Sequence, residues 1–157
     1  MLFDLPDLSA TEALGRRLGE RLFPGAVVAL VGPLGAGKTH FARAIAEGLG
    51  LENSRVVTSP TFVLIQEYPA RIPIAHFDVY RLRSAAEFED LGPGEYFAGP
   101  WVSLIEWADR VESLLPPEHL RVELQIVGAN HRRAELTPFG ERYERLVEEL
   151  ASAGPGP

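Results

Sequence analysis

A short unbroken apolar run, Ala26-Val-Val-Ala-Leu-Val31, leads directly into Gly32-Pro33-Leu34-Gly35-Ala36-Gly37-Lys38-Thr39-His40. Apolar residues then recur at helical spacing, Phe41, Ala42, Ile45, Ala46 and Leu49, until Gly50. An apolar run without polar alternation fits a strand buried on both faces, the condition of a parallel sheet covered by helices. Strand, glycine-rich turn and amphipathic helix in immediate succession predict an α/β domain with a layered core.

The rest of the chain reads around that unit. Ser9 with Glu12 forms a capping-box pattern, and Leu14, Leu18 and Leu22 predict a first helix that stops at Phe23-Pro24-Gly25. Residues 62–68 and 74–80 read as two strands joined by a turn containing Pro69 and Pro73, hence an antiparallel hairpin. Residues 84–91 predict a short polar helix broken by Gly92-Pro-Gly94, and residues 101–106 another buried strand. Residues 120–127 and 131–136 alternate as a second hairpin would, and a last helix spans about 139–150. With 157 residues, 46% of them hydrophobic, the expectation is one three-layer domain over residues 1–153, with a mixed, partly parallel sheet and a flexible tail at 154–157.

The turn fits G-x-x-x-x-G-K-[ST] and lies where that motif must lie, after a buried strand and at the start of a helix. Glycines there let successive backbone N–H groups curl round a phosphate, and the helix N-terminus adds partial positive charge. Lys38 would reach the β and γ phosphates, and the Thr39 hydroxyl would ligate Mg²⁺. Of 15 basic residues 14 are arginine, so the only lysine in the chain stands inside the motif. A compact, flexible ammonium suits that position better than a planar fork. A magnesium site on such a scaffold usually takes a carboxylate from a neighbouring strand end, and Asp78 and Glu106 each follow a suitable apolar run. The absence of any second lysine excludes the N-K-x-D pattern of guanine recognition.

A net charge of −7 argues against broad non-specific binding of polyanions. Arg16-Arg17-Arg21 and His131-Arg132-Arg133 are local basic clusters that could touch a nucleic-acid backbone or simply be solvated. With no cysteine, disulfides, thiolate metal sites and a cysteine nucleophile are excluded. No window approaches the roughly 18 continuous apolar residues of a membrane span, and the N-terminus has no export signal, so a cytoplasmic location is expected.

Four segments together resemble one family: Gly32 to Thr39, Thr58-Ser-Pro-Thr-Phe62, His76-Phe-Asp-Val-Tyr-Arg81 and Ile105-Glu-Trp-Ala108. They are similar to the TsaE (YjeE) family, P-loop ATPases of bacterial tRNA threonylcarbamoyladenosine synthesis. The resemblance implies ATP as the nucleotide and Thr39 and Glu106 as magnesium ligands. It places Asp78 as a catalytic or water-ordering carboxylate, Thr61 in a loop that senses the γ-phosphate, and Trp107 beside the nucleotide, where an indole could stack on adenine or simply pack. It also implies action with TsaD and TsaB, the contact with tRNA being indirect. His76 reads equally well as a structural histidine, Tyr80 and Arg81 could shape the site or face a partner, and Trp101 reads as packing. Two other classes stay open on the residues alone: a small-molecule kinase, for which Arg81, Arg83 and Arg110 offer no evident lid, and a nucleotide sensor that does not hydrolyse, which would not require both Asp78 and Glu106.

Overall fold

The structure, a computed structural model, describes residues 1–58 and 64–154. Its strands are β1 (Leu2–Leu5), β2 (Val27–Val31), β3 (Ile65–Tyr68), β4 (Ile74–Asp78), β5 (Val102–Glu106), β6 (His119–Ile126) and β7 (Arg132–Phe139). The helices are α1 (Leu8–Arg21), α2 (Lys38–Gly48), α3 (Ala85–Asp90), α4 (Pro93–Ala98) and α5 (Glu141–Ser152), with 3₁₀ turns at Ser54–Val56 and Ala108–Leu114.

The sheet order is β1-β7-β6-β2-β5-β4-β3. Its centre, β6-β2-β5-β4, is parallel, and both flanks are antiparallel: β3 on β4, and β7 on β6 with β1 beyond it. This is the mixed, partly parallel α/β sheet that the sequence predicts. Strand alternation divides the core into two layers. Val28 and Leu30 of β2 join the apolar side chains of α1, α2 and α5 on one face. Val27, Ala29 and Val31 join Phe77, Phe88, Val111 and the partly buried Tyr96 and Phe97 on the other, under α3, α4 and the 108–114 turn. Because every residue of β2, β4 and β5 is buried, these strands lack the polar alternation of a half-exposed sheet.

α1 and α2 cross at glycine. A methyl group at Gly19 would stand 2.1 Å from the Ile45 carbonyl oxygen, and one at Gly48 would stand 2.1 Å from that of Arg16. The two backbones therefore touch, and α2, which carries the phosphate motif at its first turn, is seated directly on α1.

Several local expectations are corrected. α1 is capped by Asp7, whose Oδ1 accepts the Ala10 N–H at 2.8 Å, so the helix starts before the Ser9-Glu12 pattern. β1 has no counterpart in the sequence reading; it forms by pairing with β7, Leu2 opposite Glu135 through Leu5 opposite Arg132. The segment at 92–94 ends α3 but also starts α4, with Gly92 as N-cap and Pro93 in the first turn, where a missing N–H costs nothing. Residues 62–63 of the expected first hairpin strand lie outside the described residues. No helix among the described residues is long and apolar enough to cross a membrane.

Candidate functional site

β2 ends against β6, and the chain leaves it at Gly32. A methyl group there would lie 2.5 Å from the Leu124 carbonyl oxygen, so a side chain would force the loop away from the sheet. The loop closes at Gly37, the N-cap of α2, at φ 99°, a left-handed conformation that disfavours any side chain. No side chain caps α2, which leaves its leading N–H groups without a side-chain partner at the loop. Lys38 folds back into this loop. Its Nζ donates to the carbonyl oxygens of Gly32 at 2.7 Å and Pro33 at 2.9 Å, and lies 3.8 Å from the centre of the Trp107 ring. Burial pushes the ammonium pKa below its ordinary value, against the attraction of Glu106, Asp109 and Asp78.

The acidic groups come from the adjacent parallel strands β4 and β5, paired so that Asp78 is opposite Glu106. Glu106 is 2% exposed. Its Oε1 accepts the Thr39 hydroxyl at 2.8 Å, and its Oε2 lies 2.6 Å from His76 Nε2. Asp78, also buried, accepts the Tyr80 backbone N–H through Oδ1 at 2.9 Å. Thr39 and Glu106 thus bring two hard oxygen donors together at the mouth of the loop, a donor type that suits Mg²⁺. Among the described residues no group of three or more His, Cys, Asp or Glu forms a metal cage. A cation here would take the rest of its shell from ligand phosphates and water, as Mg²⁺ usually does.

The loop opens into a cleft of about 490 Å³ lined by Leu34, Gly35, Ala36, Gly37, Lys38, Thr39, His40, Glu106 and Trp107 on one side, and by Leu8, Thr11, Ala129, Asn130 and Arg132 on the other. The expected cradle residues therefore share one cavity, with Gly32 and Pro33 behind it as acceptors for Lys38. Asp78 opens instead onto a small recess with Leu64, Tyr80 and Arg81. Thr61 lies outside the described residues. Trp107 is held at φ 61°, uncommon for a bulky residue. Tyr80 packs against it tilted by 42° at 4.7 Å between ring centres, and Arg110 covers Tyr80 at 4.9 Å while donating to its carbonyl oxygen. Trp101 packs edge-on against Tyr96 at 5.1 Å, away from the cleft, as the sequence reading has it.

One contributor escaped the sequence reading. Arg132 was grouped with a surface basic cluster, yet its Nη2 donates to the Gly35 carbonyl oxygen at 3.1 Å and its Nη1 to that of Gly128 at 2.7 Å, bracing the phosphate loop against the β6–β7 turn. The pairing of β6 with β2 brings the end of the second hairpin to the loop, and no local pattern announces that neighbour. His76, open between structural and functional roles in the sequence, is fully buried, and among the described residues its one polar contact is with Glu106. The Arg16-Arg17-Arg21 cluster is engaged within the fold, Arg16 with Glu47 at 3.0 Å, Arg17 with the Leu150 carbonyl and Arg21 with that of Arg17.

Known proteins resemble this chain in sequence and fold. The family model described as "Threonylcarbamoyl adenosine biosynthesis protein TsaE" matches residues 5–134. A Bacillus subtilis protein named tRNA threonylcarbamoyladenosine biosynthesis protein TsaE is 45% identical over 142 residues, spanning 90% of this chain and 87% of its own. One of the same name from Treponema pallidum is 41% identical over 122 residues, spanning 78% and 89%. The crystal structure of Bacillus subtilis YdiB superposes with a TM-score of 0.81 at 37% identity, covering 98% of this chain and 95% of that one. The motif, the sheet and the relatives agree, and the chain belongs to the TsaE family of threonylcarbamoyladenosine biosynthesis proteins.

Proposed function

We propose that the chain binds ATP with Mg²⁺ and hydrolyses it as the ATPase subunit of tRNA threonylcarbamoyladenosine synthesis, acting in the cytoplasm with TsaD and TsaB, tRNA being reached through those partners. The observation that carries the nucleotide reading is the convergence of Thr39 Oγ1 and Glu106 Oε1, 2.8 Å apart, beside a buried lysine whose ammonium rests on two carbonyl oxygens. Family membership supports the pathway.

In this reading Lys38 exchanges its contacts with Gly32 and Pro33 for the β and γ phosphates. The exchange is aided by its low cost: an ammonium held by two neutral carbonyls and an indole gains from meeting an anion. Backbone N–H groups of the loop and the start of α2 bind the phosphate oxygens. Thr39 and Glu106 would hold Mg²⁺, which would supply charge neutralisation to the phosphoryl group. Asp78, opposite Glu106 but opening onto the neighbouring recess, takes the water-ordering role from the family resemblance, its carboxylate held by the Tyr80 N–H. Hydrolysis on such loops commonly waits for groups supplied by a partner, so the isolated chain turns over slowly.

The test is release of phosphate from ATP and Mg²⁺ by the pure protein, alone and mixed with TsaD and TsaB of the same source. Stimulation by the partners is expected. Turnover that ignores them, with no association, would remove the assembly from the proposal and leave an ATPase without that partner role.

A further inference from the structure

His76 is a fully buried titratable group without a part in the proposed hydrolysis, and its surroundings are specific. It sits in the middle of β4, where all five residues are buried, and its neighbours Ala75 and Phe77 point into the opposite core layer. Nε2 lies 2.6 Å from Glu106 Oε2, whereas Nδ1 is buried with no hydrogen-bond partner. An unsatisfied polar atom in a core costs about 1–3 kcal/mol. A purely space-filling residue at this position would avoid that cost. Among the described residues the histidine's only polar contact is the one with Glu106, so its polar chemistry there serves that carboxylate.

We propose that His76 is the positioning residue for Glu106, donating from Nε2 so that Oε2 is fixed and Oε1 is held toward Thr39, where the cation is bound. This rests on the assignment of Thr39 and Glu106 to Mg²⁺ made above. The terminal torsion of a glutamate is broad and twofold, so packing alone leaves the direction of its oxygens loosely set. A donor on one oxygen defines the other. The structure shows the two constraints together, Thr39 on Oε1 and His76 on Oε2, joining α2, β5 and β4 into one chain of contacts. Partners that orient metal ligands in this way typically change metal affinity by 10–100-fold when removed.

The position of the donor atom gives the test. A glutamine amide places its N–H₂ near the site of Nε2, whereas an asparagine amide places it near Nδ1, on the wrong side of the ring. Binding of the non-hydrolysable β,γ-imido analogue of ATP is measured by calorimetry across a Mg²⁺ series and in EDTA, for the unchanged protein, His76→Gln, His76→Asn and His76→Phe, with thermal unfolding of each. His76→Gln is expected to keep its Mg²⁺ dependence within about threefold, and His76→Asn and His76→Phe to need about 10–100-fold more Mg²⁺, with binding in EDTA unchanged. If His76→Phe unfolds because Glu106 lacks a donor, the Gln and Asn pair carries the comparison. Equal Mg²⁺ dependence in Gln and Asn variants, or losses that follow unfolding temperature and appear equally in EDTA, overturns the role of His76. If the unchanged protein binds the analogue identically with and without Mg²⁺, the metal assignment itself falls.

Discussion

Gly19→Ala puts two effects of opposite sign in competition at the helix crossing that seats the phosphate loop. In the middle of an exposed helix, glycine to alanine stabilises by about 1 kcal/mol. Here the added methyl would stand 2.1 Å from the Ile45 carbonyl oxygen and 3.0 Å from both the Ile45 carbonyl carbon and the Gly48 Cα. Carbon and carbonyl oxygen pack at roughly 3.3 Å, so α1 and α2 must part by about 1.2 Å or distort. The obstacle is backbone, with no rotamer to escape to, and Leu18, Phe41 and Ile45 close by are fully buried. Overpacking a core costs about 1–3 kcal/mol, and a clash of this kind belongs at the upper end. Subtracting the propensity gain leaves about 2 kcal/mol of destabilisation, or a fall in Tm of about 4–8 °C for a chain of this size. Gly94→Ala is the control, since nothing lies within 4 Å of its added methyl inside α4. It should raise stability by about 0.4–1 kcal/mol. Calorimetric unfolding in EDTA reads both. A Gly19→Ala protein as stable as the parent would refute the backbone contact. ATP affinity should fall with it, because α2 cannot move without carrying Lys38 and Thr39.

Lys38→Ala removes the charge-assisted contact to phosphate, worth about 1.5–3 kcal/mol, so ATP affinity measured by calorimetry should fall about 10–100-fold; retained affinity would contradict the cradle. Asp78→Ala should abolish phosphate release while largely preserving ATP binding, and unchanged turnover would remove Asp78 from the chemistry. Tyr143 has its pKa raised chiefly by burial, with the Val27 N–H donating to its hydroxyl at 2.9 Å. A raised folded pKa means that its stabilisation is intact below pH ~10 and lost as pH climbs through the folded value. Tyr143→Phe should therefore flatten part of the alkaline fall in unfolding free energy, the remainder belonging to Tyr68 and Tyr96, whose pKa values are also raised.

The unit from β2 through the loop to α2 was legible because each part is written locally: an apolar run, glycines at fixed offsets, then helical spacing. The paired carboxylates were legible as strand-end residues, but their register, Asp78 opposite Glu106, is a property of β4 and β5 meeting across 28 residues of chain. β1 was invisible for a similar reason. Its four residues run exposed, intermediate, exposed, buried, too short for a period, and only β7 gives them a ladder. The cap of α1 was misplaced because Asp7 and Ser9 both have capping chemistry, and the choice is decided by which oxygen reaches an N–H, Asp7 Oδ1 at Ala10. His76 could not be separated from an ordinary core histidine without knowing that Glu106 would face it.

What resisted sequence reasoning is concentrated where the fold departs from its own rules. Lys38, His76, Asp78 and Glu106 are buried ionisable residues around one loop, in a core that is otherwise almost wholly apolar. The two non-glycine residues with positive φ among those described, Leu64 at 66° and Trp107 at 61°, flank the same strand ends. Leu64 accepts the Asp78 backbone N–H at 3.0 Å, and Trp107 follows Glu106 directly and lies under the Lys38 ammonium. Each strained turn is thus tied to a carboxylate. Such conformations cost about 1–3 kcal/mol each and persist only where the surroundings over-determine them. Here β4 and β5, buried along their full length and laddered in parallel, supply that determination. The apolar sheet is accordingly part of the site's chemistry: it holds two buried carboxyl groups side by side at the strand ends and directs an oxygen of Glu106 to Thr39 in the first turn of α2.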